Sequence, residues 1–202
     1  VLRKVYDQNF EDVIGGYFNE LNDKKTENLI LDLRNNQGGD ISNGTFLLSH
    51  LMDTSFRNIE AYYKVDNSQS NFALKKTYGE SLGNHEPKQK VFKGKLFVII
   101  NGGSFSNSGI VAACLKKYNR AVFIGEETGG NSKVLAGNAD DYYLPNTDIL
   151  IEIPTKQYML GETVSLTGRG IMADYPFQPS LKDILENIDS TLNFTYEIMN
   201  KE

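Results

Sequence analysis

Apolar residues first recur at Val13, Tyr17 and Leu21, joined by Ile14 and Phe18. Steps of three and four predict an amphipathic helix despite Gly15 and Gly16. Ahead of it, "VLRKVYDQNF" reads as a short strand running into a loop. The unbroken apolar run "NLILDLR" at 28–34, bounded by turn residues, predicts a central strand covered on both faces. It ends in "NNQGGDISNG", a tight turn, after which Ile41, Thr45, Leu48 and Met52 resume helical spacing.

"KLFVIIN" at 95–101 and "AVFIG" at 121–125 are two further strands, with a helix over 106–118 between them. "YLPNTDILIEIP" adds a strand stopped by Pro145 and Pro154. From Leu181 to Met199 one helical stripe carries Ile184, Leu185, Ile188, Leu192, Tyr196 and Met199. Residues 53–93 are the most polar region. Within them "NIEAYYKV" sets Ile59, Ala61, Tyr63 and Val65 against polar neighbours, predicting a strand pair with a mobile tip near "DNSQSN". Buried strands alternating with helices argue an α/β fold with largely parallel pairing.

Composition narrows the function classes. The chain has 202 residues, 40% of them hydrophobic, with 11 tyrosines and 11 phenylalanines, enough for a substantial core. A net charge of −5 and the absence of a basic cluster argue against a nucleic-acid partner. The single cysteine, Cys114, excludes an internal disulfide and a cysteine-rich zinc site, and leaves the redox compartment open. No apolar run is of membrane-spanning length. The first residues lack both a start methionine and a signal-peptide core, so the chain reads as a piece of a longer protein. "GDISNGT" has the frame of a phosphate loop without its lysine, and "GRGIMA" mimics a dinucleotide fingerprint without a preceding strand. No His, Cys and carboxylate grouping has metal-ligand spacing.

The densest chemistry is "NGGSFSNSGIVAAC" at 101–114, where Ser104, Ser106 and Ser108 alternate at a strand-to-helix corner. Such a corner offers rigid backbone, unpaired helical N–H groups and the positive end of a helix dipole, which suit a nucleophile beside an oxyanion site. Serine also caps helices, and the residues alone leave both readings open. Gly38 and Gly39 are open in the same way, as a turn or as a close backbone approach to a ligand. Cys114 falls on the inner face of the helix, as a small buried apolar group.

Three motifs in order carry a resemblance: "LILDLRNNQGGD", then "FVIINGGSFSNSGIVAACLKKYNRAVFIGEETGGN", then "LPNTDILIEIP" with "GRGIMADYPFQPS". Together they resemble the S41 serine peptidases, the tail-specific, C-terminal processing and tricorn-core family, from about residue 1 to the end. The resemblance implies a ClpP/crotonase-like α/β core, with a largely parallel central sheet flanked by helices, and one catalytic domain over residues 1–202. It implies an exported, bacterial-type location, peptides or protein tails as substrate, and no cofactor. By position it makes Ser106 the nucleophile and the amides of Gly39 and Asn107 the oxyanion donors. The family's peptide-binding PDZ domain is not visible in these residues.

The proton relay departs from the family. Where processing peptidases carry a lysine, this chain has Asn131, and Lys133 is displaced by two residues, roughly 7 Å along an extended segment. The tricorn-like branch takes a histidine from an upstream helical segment and a carboxylate where this chain has Thr167. Ala173 stands where the family has proline before Asp174. These departures place the base in an upstream part of the parent protein. Glu126, at a strand end expected to face Ser106, is a candidate to orient the relay or bind a substrate terminus, or else to stabilise a turn. His50 reads as a half-buried structural residue and His85 as a solvated one. Asp32 and Arg34 fix a strand end. A peptide-binding domain that kept the fold without the relay is the competing reading.

Overall fold

The computed structural model describes residues 9–66, 73–77, 81–161 and 168–201. The expected first strand, most of the "DNSQSN" tip and Thr167 lie outside these residues. Helix α1 (Phe10–Asp23) forms as the spacing requires, but it buries Phe10, Ile14 and Phe18 and leaves Val13 and Tyr17 in solvent. Strand β1 (Asn28–Asp32) leads through the glycine turn into α2 (Ile41–Leu51), whose N-terminus is capped by Asp40 accepting from the Ser42 amide. Strands β2 (Ala61–Asp66) and β3 (Ala73–Thr77) follow, then β4 (Lys95–Ile100), α3 (Asn107–Lys117) and β5 (Val122–Gly125). Strands β6 (Val134–Tyr143) and β7 (Leu150–Met159) form a long hairpin. The short strand β8 (Tyr175–Pro176), α4 (Leu181–Leu185) and α5 (Ser190–Met199) complete the order.

The parallel sheet runs β1-β4-β5-β8, with Ile30 beside Phe97 and Ile99 beside Ile124. Its residues alternate between two cores. Leu96, Val98 and Ile100 pack with α1, α2 and α3, while Phe97 and Ile124 pack on the other face with Ile198 and Phe194 of α5. The fold is therefore α/β, a parallel sheet flanked by helices. The central strand is β4, in which Leu96 to Ile100 are all buried. Strand β1, expected at the centre, pairs with β4 alone among the described residues and is half-buried. Its apolar run was a sound sign of two covered faces, because Leu29 and Leu31 meet one core and Ile30 the other. Cover above and below says nothing of a neighbour alongside.

A second sheet, β3-β2-β7-β6, is antiparallel. The expected strand pair in the polar region is β2 with β3. Its inner phase differs from the alternation read in "NIEAYYKV": Tyr62, not Tyr63, is buried, because its ring stacks on Tyr158 at 5.1 Å across the β2–β7 pair. The single strand expected to end at Pro154 is instead the β6–β7 hairpin, with Pro145 in its turn and Pro154 inside β7. Pro154 is tolerated there because pairing with β2 stops at Lys156, so its missing N–H costs no hydrogen bond on that side. The expected C-terminal helix is two helices. Asn187 takes a positive φ of 54°, and Asp189 caps α5 by accepting from the Leu192 amide.

Candidate active site

The three serines of the corner have two different jobs. Buried Ser104 donates to the Leu33 carbonyl at 2.8 Å and accepts from the Asn101 amide at 3.1 Å. Buried Ser108 donates to Asn36 Oδ1 at 2.7 Å. Both fasten the start of α3 to the loop after β1. Between them Ser106 occupies the N-cap position of α3 without making a cap hydrogen bond, and among the described residues its hydroxyl has no partner. It lines a cavity of about 520 Å³. The helix-capping alternative therefore does not account for any of the three.

Ser106 is also held in an unusual backbone conformation, φ 53° and ψ −120°. Such a conformation costs on the order of 1–3 kcal/mol and persists only where the surroundings impose it. Here the Phe105 amide donates to the Asn36 carbonyl at 3.0 Å, and the Ser106 carbonyl accepts from Ile110 at 3.0 Å. The result is a hydroxyl aimed away from the helix it precedes. Asn107, next along, is the first helical residue, so its amide has no intrahelical acceptor.

The glycine turn lies against this corner. Asn36 Oδ1 accepts from the Gly38 amide at 2.9 Å as well as from Ser108, so one side chain fixes both segments. Gly38 has φ 93°, and a Cβ built on it would stand 2.6 Å from the Asn107 nitrogen and 2.9 Å from Ser106 Cβ. Asn107 Nδ2 donates to the Asp40 carbonyl at 2.6 Å, closing the turn from its other end. Gly39 lines the same cavity as Ser106. The remaining motifs pack behind. The Gly129 amide donates to the Ser104 carbonyl, and Thr128 exchanges hydrogen bonds with Ile171. Arg169 grips Glu127 and holds its carboxyl down at about 2, with the Gly170 amide helping. Asp174 accepts from the Phe123 amide and pairs with Lys116, a structural role.

Glu126 is not brought to Ser106. It lines a separate cavity of about 590 Å³ with Arg34, Asn35 and Asn101, and its amide donates to the Ile100 carbonyl as the next rung of the β4–β5 pairing. The expectation that Glu126 at the end of β5 faces the serine is therefore corrected: it lines the other cavity. Asn131 accepts from the Lys133 amide, and neither residue lines the serine cavity. Arg34 bonds both Asp32 and Asp189, holding the Asp189 carboxyl below the usual range and tying the end of β1 to α5.

Cys114 is buried, and burial pushes its thiol up to about 12, which makes it inert at neutral pH. His85 is tied to Phe56 through backbone bonds on the rim of the fold. His50 is buried and stacked on Phe18 at 4.7 Å, and among the described residues neither ring nitrogen makes a well-formed hydrogen bond. Burial lowers its pKa, so the folded chain resists a proton that the unfolded chain accepts below about 6.5. Stability is then full above that pH and falls as pH drops through it. Urea melts between pH 7.5 and 5 are expected to show this loss, with a smaller slope in His50→Phe; equal slopes would remove His50 as its source.

What the sequence did not announce is the share of the cavity lining that comes from Tyr62, Leu135, Lys156 and Tyr158 of the antiparallel sheet. These residues sit far from the serine motif in sequence. Only the period-two alternation in "NIEAYYKV" hinted that one face was covered, and it put Tyr63 and not Tyr62 on that face.

Comparison with known proteins agrees with the fold and the motifs. Residues 4–177 match the model of peptidase family S41. The tail-specific protease of Haemophilus influenzae is 32% identical over 118 residues, 57% of this chain and 15% of that protein. The chloroplastic carboxyl-terminal-processing peptidase 3 of Arabidopsis thaliana is 29% identical over 115 residues, 57% of this chain and 20% of that one. Among solved structures, mature CPAF complexed with lactacystin superposes with a TM-score of 0.69 at 16% identity, covering 98% of this chain and 50% of that one. The chain spans about a fifth or less of the length of the two curated relatives it matches. Since the family match runs through the glycine turn, the serine corner and the Arg169 segment, which fold onto one another here, the chain belongs to peptidase family S41.

Proposed function

We propose that this chain is the catalytic domain of a serine peptidase that cleaves peptide bonds through an acyl-enzyme on Ser106. The observation that carries the reading is the isolation of that hydroxyl. Its two neighbouring serines are consumed by buried hydrogen bonds, while Ser106 is strained, unpaired among the described residues and open to the cavity. Attack by Ser106 on a carbonyl carbon would put the developing oxyanion beside the amides of Asn107 and Gly39. These come from two segments locked together by Asn36, so they need no rearrangement as charge develops. Peptides or protein tails are the substrates, in keeping with the names of the tail-specific and carboxyl-terminal-processing relatives. An exported setting is proposed on the same names. Glu126, in its own cavity, would act at most on a distal part of the substrate.

A second reading has its own support. Asn131 stands in the family's lysine position, and no His, Lys or carboxylate among the described residues is hydrogen-bonded to Ser106. A domain without a relay would bind peptides and not cut them. Treating the full-length protein with a fluorophosphonate and sequencing the modified peptide separates the two. Label on Ser106 is expected. A folded protein that stays unlabelled would leave the binding reading in its place.

A further inference from the structure

The part of the cavity lining that comes from the antiparallel sheet carries an arrangement that the peptidase reading does not use. In the β2–β7 pair Tyr62 stands opposite Tyr158, and Lys64 opposite Lys156. Residues two apart on a strand share a face, so these four belong to one side of the sheet. The tyrosine rings stack with an interplanar angle of 7°. Both ammonium groups lie over the Tyr62 ring, 5.8 Å from its centroid for Lys64 and 5.7 Å for Lys156.

Like charges directly opposite each other on an antiparallel pair repel. The Tyr62 ring they share softens that repulsion without supplying a counter-charge. Among the described residues neither lysine forms an ion pair, although eight other basic side chains do. Asp40, the cavity's own carboxylate, is occupied by the Ser42 amide and hydroxyl, each at 2.8 Å, at the start of α2. The cavity is therefore lined by the Ser106 hydroxyl and by an aromatic pair that carries two cations with no ion pair among the described residues, of which Lys156 lines the cavity directly. A ligand anion seated between the ammonium groups turns their repulsion into attraction on both sides.

Resting on the peptidase reading for the location of the scissile bond, we propose that Lys64 and Lys156 form a carboxylate clamp. The clamp selects peptides that carry a carboxylate near the bond presented to Ser106, and the Tyr62–Tyr158 stack supports the adjoining apolar stem. A free C-terminus and an acidic side chain offer the same chemistry, and peptides tell them apart.

The test uses the full-length protein with Ser106→Ala, so that bound peptide is not consumed, and fluorescence anisotropy of three peptides of one apolar sequence. One ends in a free acid, one in an amide, and one in an amide with a glutamate placed within the sequence. At least one carboxylate-bearing peptide is expected to bind about tenfold or more tighter than the neutral amide, as a charge-assisted contact would give, with the advantage shrinking as salt rises. Preference for the free acid alone assigns the clamp to a chain terminus, and preference for the glutamate peptide assigns it to a side chain. In Lys64→Gln/Lys156→Gln the acid-to-amide ratio should fall close to one, and Lys156→Arg alone should keep most of it. The double variant should melt no lower than its parent, since it removes a repulsive pair.

Equal affinity for all three peptides, or a preference that survives the double substitution, overturns the clamp. Fluorophosphonate labelling of Ser106 without carboxylate preference would overturn the clamp and leave the peptidase reading intact. Preference without labelling would do the reverse.

Discussion

Ser106→Ala in the full-length protein is expected to reduce kcat for peptide hydrolysis by at least about a thousandfold while leaving peptide affinity within a few-fold of the parent, since the change removes the proposed nucleophile and spares the proposed oxyanion donors. The hydroxyl makes no hydrogen bond among the described residues, so its loss should cost little stability. The neighbouring serines are expected to behave in the opposite way. Ser104→Ala leaves the Leu33 carbonyl and the Asn101 amide without a buried partner, and Ser108→Ala does the same to one bond of Asn36. Each should cost about 1–3 kcal/mol by urea denaturation. Their activity losses should track misplacement of the corner, not loss of chemistry. Retention of more than a tenth of the parental kcat by Ser106→Ala would remove the serine from the reaction.

The contrast among the three serines shows how far sequence carried the argument. Alternation of hydroxyls after a buried strand marked the corner, and the family motifs selected the middle residue. Neither could show that Ser104 and Ser108 point inward to Leu33 and Asn36, because that depends on where the turn after β1 comes to rest. Strands β4 and β5 were legible because they are apolar on both faces, as a covered parallel sheet requires. Strand β6 was not. "VLAGNADDYY" is rich in residues depleted from strands, and its outer half is exposed, so pairing with β7 and not its own pattern makes it a strand. Pro154 misled for a related reason: a stop signal holds only where both edges of a strand must be hydrogen-bonded. Glu126 misled because a strand end gives a residue's height in the sheet and not the cavity its side chain enters.

Gly38→Ala is the second large effect, and it tests the geometry of the proposed oxyanion site without touching a reacting atom. At φ 93° an L side chain carries backbone strain of roughly 1–2 kcal/mol. The new methyl would also stand 2.6 Å from the Asn107 nitrogen and 2.9 Å from the Phe105 carbonyl oxygen, both backbone atoms that no rotamer change can move aside. Overpacking of this kind adds about 1–3 kcal/mol, so a total loss near 2–5 kcal/mol is expected in urea melts. The turn and the serine corner must then separate, which moves the Gly39 amide relative to that of Asn107. A shift of about 1 Å at such a site is enough to cost on the order of a hundredfold in rate. The combined outcome is a folded but weakened protein whose kcat falls far more than its peptide affinity. Gly16→Ala is the matched control: nothing lies within 4 Å of a Cβ there, and a helix interior gains about 0.5–1 kcal/mol from the exchange. If Gly38→Ala melted and turned over like the parent, the glycine turn would not be pressed against Ser106, and the paired amide donors would have no physical basis.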